Sequence, residues 1–323
     1  MSANFEPVFV GGHMRSGTTL LRSLLDRHPR LAVANETYFV TSIADRLETA
    51  HRSHASLLQA WHDSPKCAGQ GLDKEALQRR FESYPGDECH LFRAALEEYA
   101  NQRGKDRCGE KTPDLYYRRP ELLLKWYSNA KLILIVRDPR AIFTSILKME
   151  GAFCKDPSTM GVLWADESRR SRNLVRKYPT RVRIVRYEDL LQDPSTHLTH
   201  LMSWLGLEFS PAQLDPAVAT PLFYGSEKPH MAMASKPIHA GRADAWREEL
   251  DRVHAARVTL AAGAELGKHG YVSDPWCLSR TQYLRGLLDR SIHSFLLRPY
   301  VRPIAGKLKR LCQKTGFNPD PWT

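Results

Sequence analysis

Residues 12–19 place several polar and basic side chains in one short turn, which reads Gly-His-Met-Arg-Ser-Gly-Thr-Thr. The turn follows the apolar stretch Val8–Gly12 and precedes leucines at helical spacing, so it connects a strand to a helix. It has the glycine spacing of a P-loop, but Thr18 stands where a P-loop places lysine. Backbone N–H groups of residues 16–19 and the guanidinium of Arg15 are predicted to bind phosphate or sulfate oxygens. The alternative is an ordinary glycine-containing turn.

Two further segments place polar side chains at predicted strand ends. Arg137 follows the apolar stretch 132–136, and Ser145 lies eight residues later, about two turns along the next helix. Tyr187 opens the segment Tyr-Glu-Asp-Leu after another strand-like stretch. Taken alone, a surface turn explains Arg137, and a tyrosine that closes the core explains Tyr187. For Arg137 and Ser145, their order behind the first segment instead favours binding of one phosphate.

The order of these segments resembles that of the sulfotransferases that use 3′-phosphoadenosine 5′-phosphosulfate. The resemblance implies that the loop 11–19 holds the 5′-phosphosulfate through Arg15, Ser16, Gly17, Thr18 and Thr19. It also implies that Arg137 and Ser145 bind the 3′-phosphate and that Tyr187 contacts the nucleotide.

Two positions near the other segments extend or limit this resemblance. Lys236, which precedes Pro237 and lies ten residues before Trp246, is similar to a donor-binding lysine of the family. Met149 stands where related enzymes have a second basic residue, four positions past Ser145. At this position the chain departs from the family's 3′-phosphate clamp.

The motifs are most similar to those of the tyrosylprotein sulfotransferases, in which a helix ending in His-Pro is followed by a glutamate. By this resemblance Glu36 is the general base, and Lys111 and Arg15 stabilise the charge that develops on the transferred group and its leaving oxygen. Alternatives are a helix-start role for Glu36 and a solvated turn for Lys111. His13 and Glu110 are rival bases.

Short apolar strands alternate with helical patterns along most of the chain. Strands are predicted at Val8–Gly12, Lys131–Val136 and 181–187, with helices over 161–177 and 243–267 among others. This alternation predicts an α/β fold of three layers, P-loop-like, with a central parallel sheet flanked by helices and a C-terminal helical extension. Ligands in such folds bind beyond the carboxyl ends of the strands.

The chain of 323 residues carries a formal net charge of +11 that is unevenly distributed. Residues 279–323 hold nine basic and two acidic side chains, so the rest of the chain does not have the charge of a general nucleic-acid binder. We predict a domain over 1–278, with an acceptor-side helical insert at about 37–105 and a loop at 215–241. The segment 279–323 is predicted to be a basic amphipathic tail.

Leucines, isoleucines and a phenylalanine recur at helical spacing in 279–314, between basic residues. This pattern predicts helices that pack on the core or on a second copy of the chain, and a membrane-surface contact is the alternative. The sequence shows neither an export signal nor a CxxC spacing among its six cysteines, which indicates reduced thiols and a cytoplasmic location.

The predicted function is transfer of a sulfuryl group from 3′-phosphoadenosine 5′-phosphosulfate to an acceptor hydroxyl, leaving adenosine 3′,5′-bisphosphate, with no metal required. Peptide tyrosine, sugars, lipids and small metabolites are the candidate acceptors. A nucleotide kinase is disfavoured because position 18 is not lysine. A non-catalytic nucleotide-binding scaffold is the second alternative, since motifs alone do not demonstrate turnover.

Overall fold

A computed structural model describes residues 5–40, 53–113, 120–149, 155–218, 237–272, 281, 287–288 and 291–292. It divides into two units: Met1–Arg137 with Arg170–Asp244, and Asp138–Arg169 with Ala245–Thr323. The predicted boundary at residue 278 lies outside the described residues, and so does most of the predicted tail.

The first unit contains a five-stranded, all-parallel sheet, which confirms the predicted fold class. Its strands are β1 (Val8–Gly12), β2 (Leu31–Ala34), β3 (Arg107–Lys111), β4 (Lys131–Val136) and β5 (Val182–Arg186). They lie in the order β2-β3-β1-β4-β5. β1 is the central strand of the sheet, and its five residues are all buried. This explains its composition, because a strand covered on both faces is apolar throughout.

The helices are, in chain order, α1 (Thr18–Asp26), α2 (His54–Asp63), α3 (Pro65–Ala68), α4 (Lys74–Glu82), α5 (Glu88–Asn101), α6 (Pro120–Trp126), α7 (Pro139–Leu147), α8 (Pro157–Lys177), α9 (Tyr187–Gln192), α10 (Pro194–Trp204), α11 (Trp246–Glu249), α12 (Arg252–Ala262) and α13 (Glu265–Lys268). Short 3-10 turns lie at Pro211–Gln213 and Ala240–Arg242.

Two apolar clusters cover the two faces of the sheet in the first unit. One is formed with α2 to α6 and includes Phe9, Phe39 and Phe92, whose rings stack at 4.9–6.1 Å. The other is formed with α1, α9 and α10 and includes Leu21 and Leu198. Burial on both faces fixes the strands, and with them the loops at their carboxyl ends.

A buried ion pair on α1 joins this helix to β2 through hydrogen bonds to the backbone of Val33, which the sequence periodicity does not indicate. Arg22 donates from Nε to the carbonyl of Val33 at 2.8 Å, and it pairs with Asp26 at 3.3 Å. Asp26 accepts from the backbone N–H of Val33 at 2.8 Å. These bonds attach the segment that leads into residues 35–40 to the helix that follows the 12–19 turn.

The predicted continuous helix over 243–267 is wrong. Leu250 is extended, and Asp251 caps α12 by accepting from Val253 N at 2.9 Å and His254 N at 3.2 Å. Gly263 ends α12 with a φ of 59°, a conformation that glycine adopts without steric cost. The apolar periodicity therefore continues through three short helices.

The second unit has its own buried contacts. Arg140 forms a two-pronged ion pair with Asp138, at 2.9 and 2.7 Å, and lies 4.2 Å from the ring of Trp246. In this unit Ser168 also hydrogen-bonds to His269, whose ring meets Trp164 edge-on. Among the few tail residues described, Leu288 and Ile292 are exposed and helical.

Candidate active site

The strand order brings the predicted site residues of the first unit into one row along the carboxyl edge of the sheet. Glu36 lies two residues past β2, Lys111 ends β3, and the 12–19 turn follows β1. Arg137 follows β4, and Tyr187 follows β5. Since neighbouring parallel strands end at the same edge, the carboxylate of Glu36, the ammonium group of Lys111 and the 12–19 turn become neighbours.

The 12–19 turn has backbone conformations that only a few residue types adopt easily. Gly17 has a φ of 100°, and Arg15 has a φ of 69°, so both lie in the left-handed region. At Gly17 an added Cβ would approach Tyr187 to 2.4 Å, which explains the glycine on steric grounds alone. Because Gly17 precedes α1 and has no side chain, the first N–H groups of the helix keep their capacity to bind an anion.

Ser16 provides a second observation that fits an anion in this turn. Its side chain is fully buried, and its Oγ has no hydrogen-bond partner among the described residues. A buried hydroxyl without a partner is costly, and an oxyanion bound by the N–H groups of the turn would satisfy it. The residues present therefore fit the phosphosulfate end of the predicted donor.

Arg15 and Arg137 form a shared positive region next to the turn. Arg137 donates to the backbone carbonyl of Arg15 at 3.1 Å and to that of Arg242 at 3.3 Å. Burial, and then the neighbouring Arg137 cation, lower the pKa of Arg15. The two cations repel each other, and bound anions would offset that repulsion.

Tyr187 contacts both Arg137 and the 12–19 turn. Its buried ring lies 4.3 Å from the guanidinium of Arg137, and it packs against Gly17. The structure therefore shows Tyr187 holding the turn and Arg137 in place. Its predicted contact with the nucleotide stays a prediction.

Glu36 and Lys111 form an ion pair at the ends of neighbouring strands. Lys111 Nζ donates to Glu36 Oε1 at 2.5 Å. The Lys111 side chain is fully buried, whereas the Glu36 side chain is 21% exposed. The pair thus has a buried cationic end and a carboxylate that is open to a second reactant.

The two members of the pair shift each other's titration. Burial raises the pKa of Glu36, but Lys111, Tyr38 and Lys66 outweigh this and leave it below its usual value. Burial lowers the pKa of Lys111, and the Glu36 carboxylate opposes that effect. Glu36 is therefore an ionised carboxylate at neutral pH, the form that accepts a proton.

The two rival bases are buried and already engaged. Burial lowers the pKa of His13 to about 4, and its Nδ1 bonds to the Met14 carbonyl at 2.7 Å. Glu110 is 1% exposed, and burial raises its pKa. Its Oε1 accepts from Thr37 N at 2.9 Å, from Thr37 Oγ1, and from Thr112 Oγ1 at 2.7 Å. Glu110 anchors the backbone next to Glu36.

Two further residues of the predicted donor site are Ser145 and Lys236. Ser145 is half-buried on α7 in the second unit, and Met149 is half-buried just past the same helix. Lys236 and most of the 215–241 loop lie outside the described residues, as do residues 41–52 of the predicted acceptor-side insert. Trp246 is buried between the guanidinium groups of Arg140 and Arg247, at 4.2 and 4.8 Å.

Sequence patterns did not single out Tyr38 or the anchoring contacts of Thr37. Tyr38 donates to Glu36 Oε2 at 3.0 Å from a backbone with a φ of 53°. The residue type does not predict this contact, because a bulky aromatic residue rarely adopts positive φ. The available signal is the run Glu-Thr-Tyr itself, which follows β2 directly.

A parallel sheet with a P-loop-like turn after its first strand, and a buried ion pair at the ends of the neighbouring strands, is typical of α/β group-transfer enzymes. In a comparison with models of protein families, the one described as "Sulfotransferase family" matches residues 7–211 of this chain. The chain therefore belongs to the sulfotransferase family. It is an enzyme that takes its sulfuryl group from 3′-phosphoadenosine 5′-phosphosulfate, the co-substrate that this family implies.

Two relatives show how far sequence similarity extends along the chain. The chain is 26% identical over 296 residues to nodulation protein NoeE of Sinorhizobium fredii, covering 82% of this chain and 67% of that one. It is 30% identical over 146 residues to the protein-tyrosine sulfotransferase of Drosophila melanogaster, covering 43% of this chain and a quarter (25%) of that one.

A solved structure agrees as well. The sulfotransferase domain of the Synechococcus PCC 7002 olefin synthase is 25% identical, with a TM-score of 0.51, covering 76% of this chain and 90% of that domain. In the part of the chain that the structure describes, no helix has the length and apolar character needed to cross a membrane.

Proposed function

We propose that Glu36 accepts the proton of an acceptor hydroxyl while the sulfuryl group is transferred to the hydroxyl oxygen, and that Lys111 and Arg15 stabilise the negative charge that develops. The observation that carries this proposal is the 2.5 Å contact between Lys111 Nζ and Glu36 Oε1, at the end of strands next to the anion-binding turn. A base and a cation in this arrangement suit an in-line displacement.

The donor is proposed to lie along the row of strand ends. The N–H groups at the start of α1 and the Ser16 hydroxyl bind its sulfated 5′ end, together with Gly17, Thr18 and Thr19. Arg15 supplies a fixed positive charge at the same end, and Arg137 faces the 3′-phosphate. Ser145, Tyr187 and Lys236 complete the donor contacts that the sequence predicts.

The chemical step moves one proton and one sulfuryl group. The acceptor oxygen forms a bond to sulfur as its proton passes to Glu36, and the bond from sulfur to the bridging oxygen of the donor breaks. The electron pair of that bond stays on the bridging oxygen, where Lys111 and Arg15 offset the charge. Because these cations are part of the chain, we propose that no metal ion is required.

The acceptor is proposed to be a hydroxyl compound that enters beside Glu36, on the side formed by residues 37–105 and the 215–241 loop. What supports this proposal is that the Glu36 side chain is 21% exposed and that the half-exposed Lys66 lies 4.0 Å from its Oε2. A phenol, a sugar, a lipid alcohol or a small metabolite each offers the hydroxyl that this chemistry needs.

The proposal is tested by incubating the full chain with the ³⁵S-labelled donor and a panel of peptides, sugars, lipids and small alcohols. We expect transfer to one acceptor class, and a loss of about 10²-fold or more in Glu36→Gln and Lys111→Ala. Glu75→Gln on α4 and Lys125→Ala on α6, both exposed, serve as matched controls. Full activity in Glu36→Gln would contradict the assignment of the base.

A binding measurement separates the proposal from a kinase. Adenosine 3′,5′-bisphosphate should stabilise the protein against heat more than ATP does, because ligand binding to the native state raises its stability. A larger effect of ATP, together with Mg²⁺-dependent ATP turnover, would contradict the proposal.

A further inference from the structure

Tyr38 makes an unusual approach to the proposed base from only two residues away. Its backbone has a φ of 53°, and among the described non-glycine residues Arg15 of the anion-binding turn is the other with positive φ. Its hydroxyl donates to Glu36 Oε2 at 3.0 Å. Positive φ at a bulky aromatic residue is disfavoured, and it persists where the surroundings impose it.

The neighbours of Tyr38 impose this conformation. Thr37 is held by Glu110 through its backbone N–H and its hydroxyl, and its carbonyl accepts from Cys67 Sγ at 3.6 Å. Phe39 donates its N–H to Thr37 Oγ1 at 3.1 Å, and its buried ring stacks on Phe92 at 4.9 Å. With residues 37 and 39 fixed, positive φ at position 38 turns the phenol back onto Glu36.

The two oxygens of Glu36 are thereby held by different donors. Oε1 accepts from Lys111, and Oε2 accepts from Tyr38. Lys66 Nζ lies 4.0 Å from Oε2 and 5.4 Å from the centroid of the Tyr38 ring. A carboxylate held at both oxygens has one orientation, which is the condition for proton transfer in a fixed geometry.

We infer that Tyr38 is a positioning residue for the transfer reaction, whose hydroxyl orients the Glu36 carboxylate. This inference rests on the proposed role of Glu36 as the base. The pKa of Glu36 is lowered by Lys111, Tyr38 and Lys66. The pKa of Lys111 is in turn influenced by Arg22 and Glu110. The hydrogen bond from Tyr38 is one of the influences that lower the pKa of Glu36.

The test compares Tyr38→Phe with the wild type across pH 4–8, with kcat and kcat/KM measured separately. Loss of a hydrogen bond to the charged form raises the pKa of a carboxylate. We therefore expect the acid limb of kcat/KM to move up by about half to one pH unit, since a bond to a charged group that is partly exposed contributes that much. We expect kcat at pH 8 to fall about three- to tenfold with KM for the acceptor nearly unchanged.

Tyr84→Phe is the matched control, because the Tyr84 hydroxyl donates to Glu97 Oε2 at 2.6 Å. That variant loses the same kind of bond outside the strand-end row, and its acid limb should coincide with that of the wild type. An acid limb in Tyr38→Phe that also coincides with the wild type would overturn the inference.

A second measurement does not depend on turnover. The Glu36 carboxyl carbon, identified by its absence in Glu36→Gln, is titrated by ¹³C NMR in wild type and Tyr38→Phe. An upward shift of the midpoint in Tyr38→Phe supports the inference even if no acceptor is sulfated, in which case the proposed function fails by itself. An unchanged midpoint overturns the inference while leaving the proposed function standing.

Tyr38→Asn guards against a variant that misfolds. Asparagine adopts positive φ more readily than tyrosine, and its short amide is too short to take the place of the phenol at Glu36. It should show the same upward shift as Tyr38→Phe. A normal titration in Tyr38→Asn would overturn the inference.

Discussion

Replacing Lys111 with Met tests the ion pair at the centre of the proposed site. The Lys111 side chain is fully buried and donates to Glu36 Oε1 at 2.5 Å. Methionine has a similar length and no charge, so it fills the space and leaves the carboxylate without its main cation. We expect the rate of sulfuryl transfer to fall about 10²- to 10³-fold, as when one charge-stabilising donor is removed.

The same substitution should reverse the pH dependence of stability. In the wild type the pKa of Glu36 lies below its usual value, so its contribution is present above the unfolded pKa, about 4.3, and is lost as the pH falls through the folded pKa. In Lys111→Met we expect burial, the largest influence on this pKa, to outweigh Tyr38 and Lys66 and to raise it. Stability should then decrease as the pH rises above about 4.3, by up to about 1.4 kcal/mol per pH unit until Glu36 ionises in the folded state.

Breaking a buried pair by removing one partner costs about 3–5 kcal/mol. Because Glu36 is 21% exposed and can take up a proton, we expect a smaller loss of about 1–3 kcal/mol at pH 8. The assay is urea unfolding at pH 5 and pH 8, with single-turnover transfer of labelled sulfate under the same conditions. The double variant Glu36→Gln/Lys111→Met should regain most of the lost stability but none of the activity.

Two results would refute this reasoning. One is a Lys111→Met protein that transfers sulfate at more than a tenth of the wild-type rate. The other is an unfolding free energy of Lys111→Met that is no lower at pH 8 than at pH 5.

Three further predictions concern the anion-binding turn and its surroundings. Gly17→Ala should abolish thermal stabilisation by adenosine 3′,5′-bisphosphate, because the added Cβ would meet the Tyr187 ring at 2.4 Å. Gly104→Ala, whose Cβ meets nothing within 4 Å, is the control. Stabilisation retained in Gly17→Ala would contradict the steric argument. His13→Gln should keep the wild-type pH profile of kcat between pH 6 and 8, since burial already lowers the pKa of His13 to about 4; loss of a limb in that range would make His13 the base. Arg137→Ala should bind the bisphosphate about 10- to 100-fold more weakly, measured by calorimetry, and should bind adenosine 5′-phosphate as the wild type does. Equal losses of affinity for both ligands would contradict the assignment of Arg137 to the 3′-phosphate.

The sequence predicted the parts of the fold that depend on local pattern. The strands Val8–Gly12 and Lys131–Val136 are apolar throughout and are found where expected, because a buried parallel strand leaves no polar alternation. The 12–19 turn was likewise predictable, since glycine spacing, arginine and hydroxyl residues between strand and helix form a local signal. The break at Leu250–Asp251 was not, because capping competes with a periodicity that continues through it.

The pairing of Glu36 with Lys111 depends on strand order, which no local pattern contains. β3 lies between β1 and β2, and this places residues 75 positions apart within one hydrogen bond. The sequence indicated both residues only through resemblance to a family. Tyr38 escaped prediction for a different reason, since its contact with Glu36 requires a disfavoured backbone conformation that tertiary contacts of Thr37 and Phe39 impose.

The most direct test of the central claim is a crystal structure of the protein with adenosine 3′,5′-bisphosphate. We expect the 5′-phosphate within hydrogen-bond distance of the Ser16 hydroxyl and the first N–H groups of α1, and the 3′-phosphate against the guanidinium of Arg137. A 5′-phosphate bound away from the 12–19 turn, with Ser16 Oγ still without a partner, would contradict it.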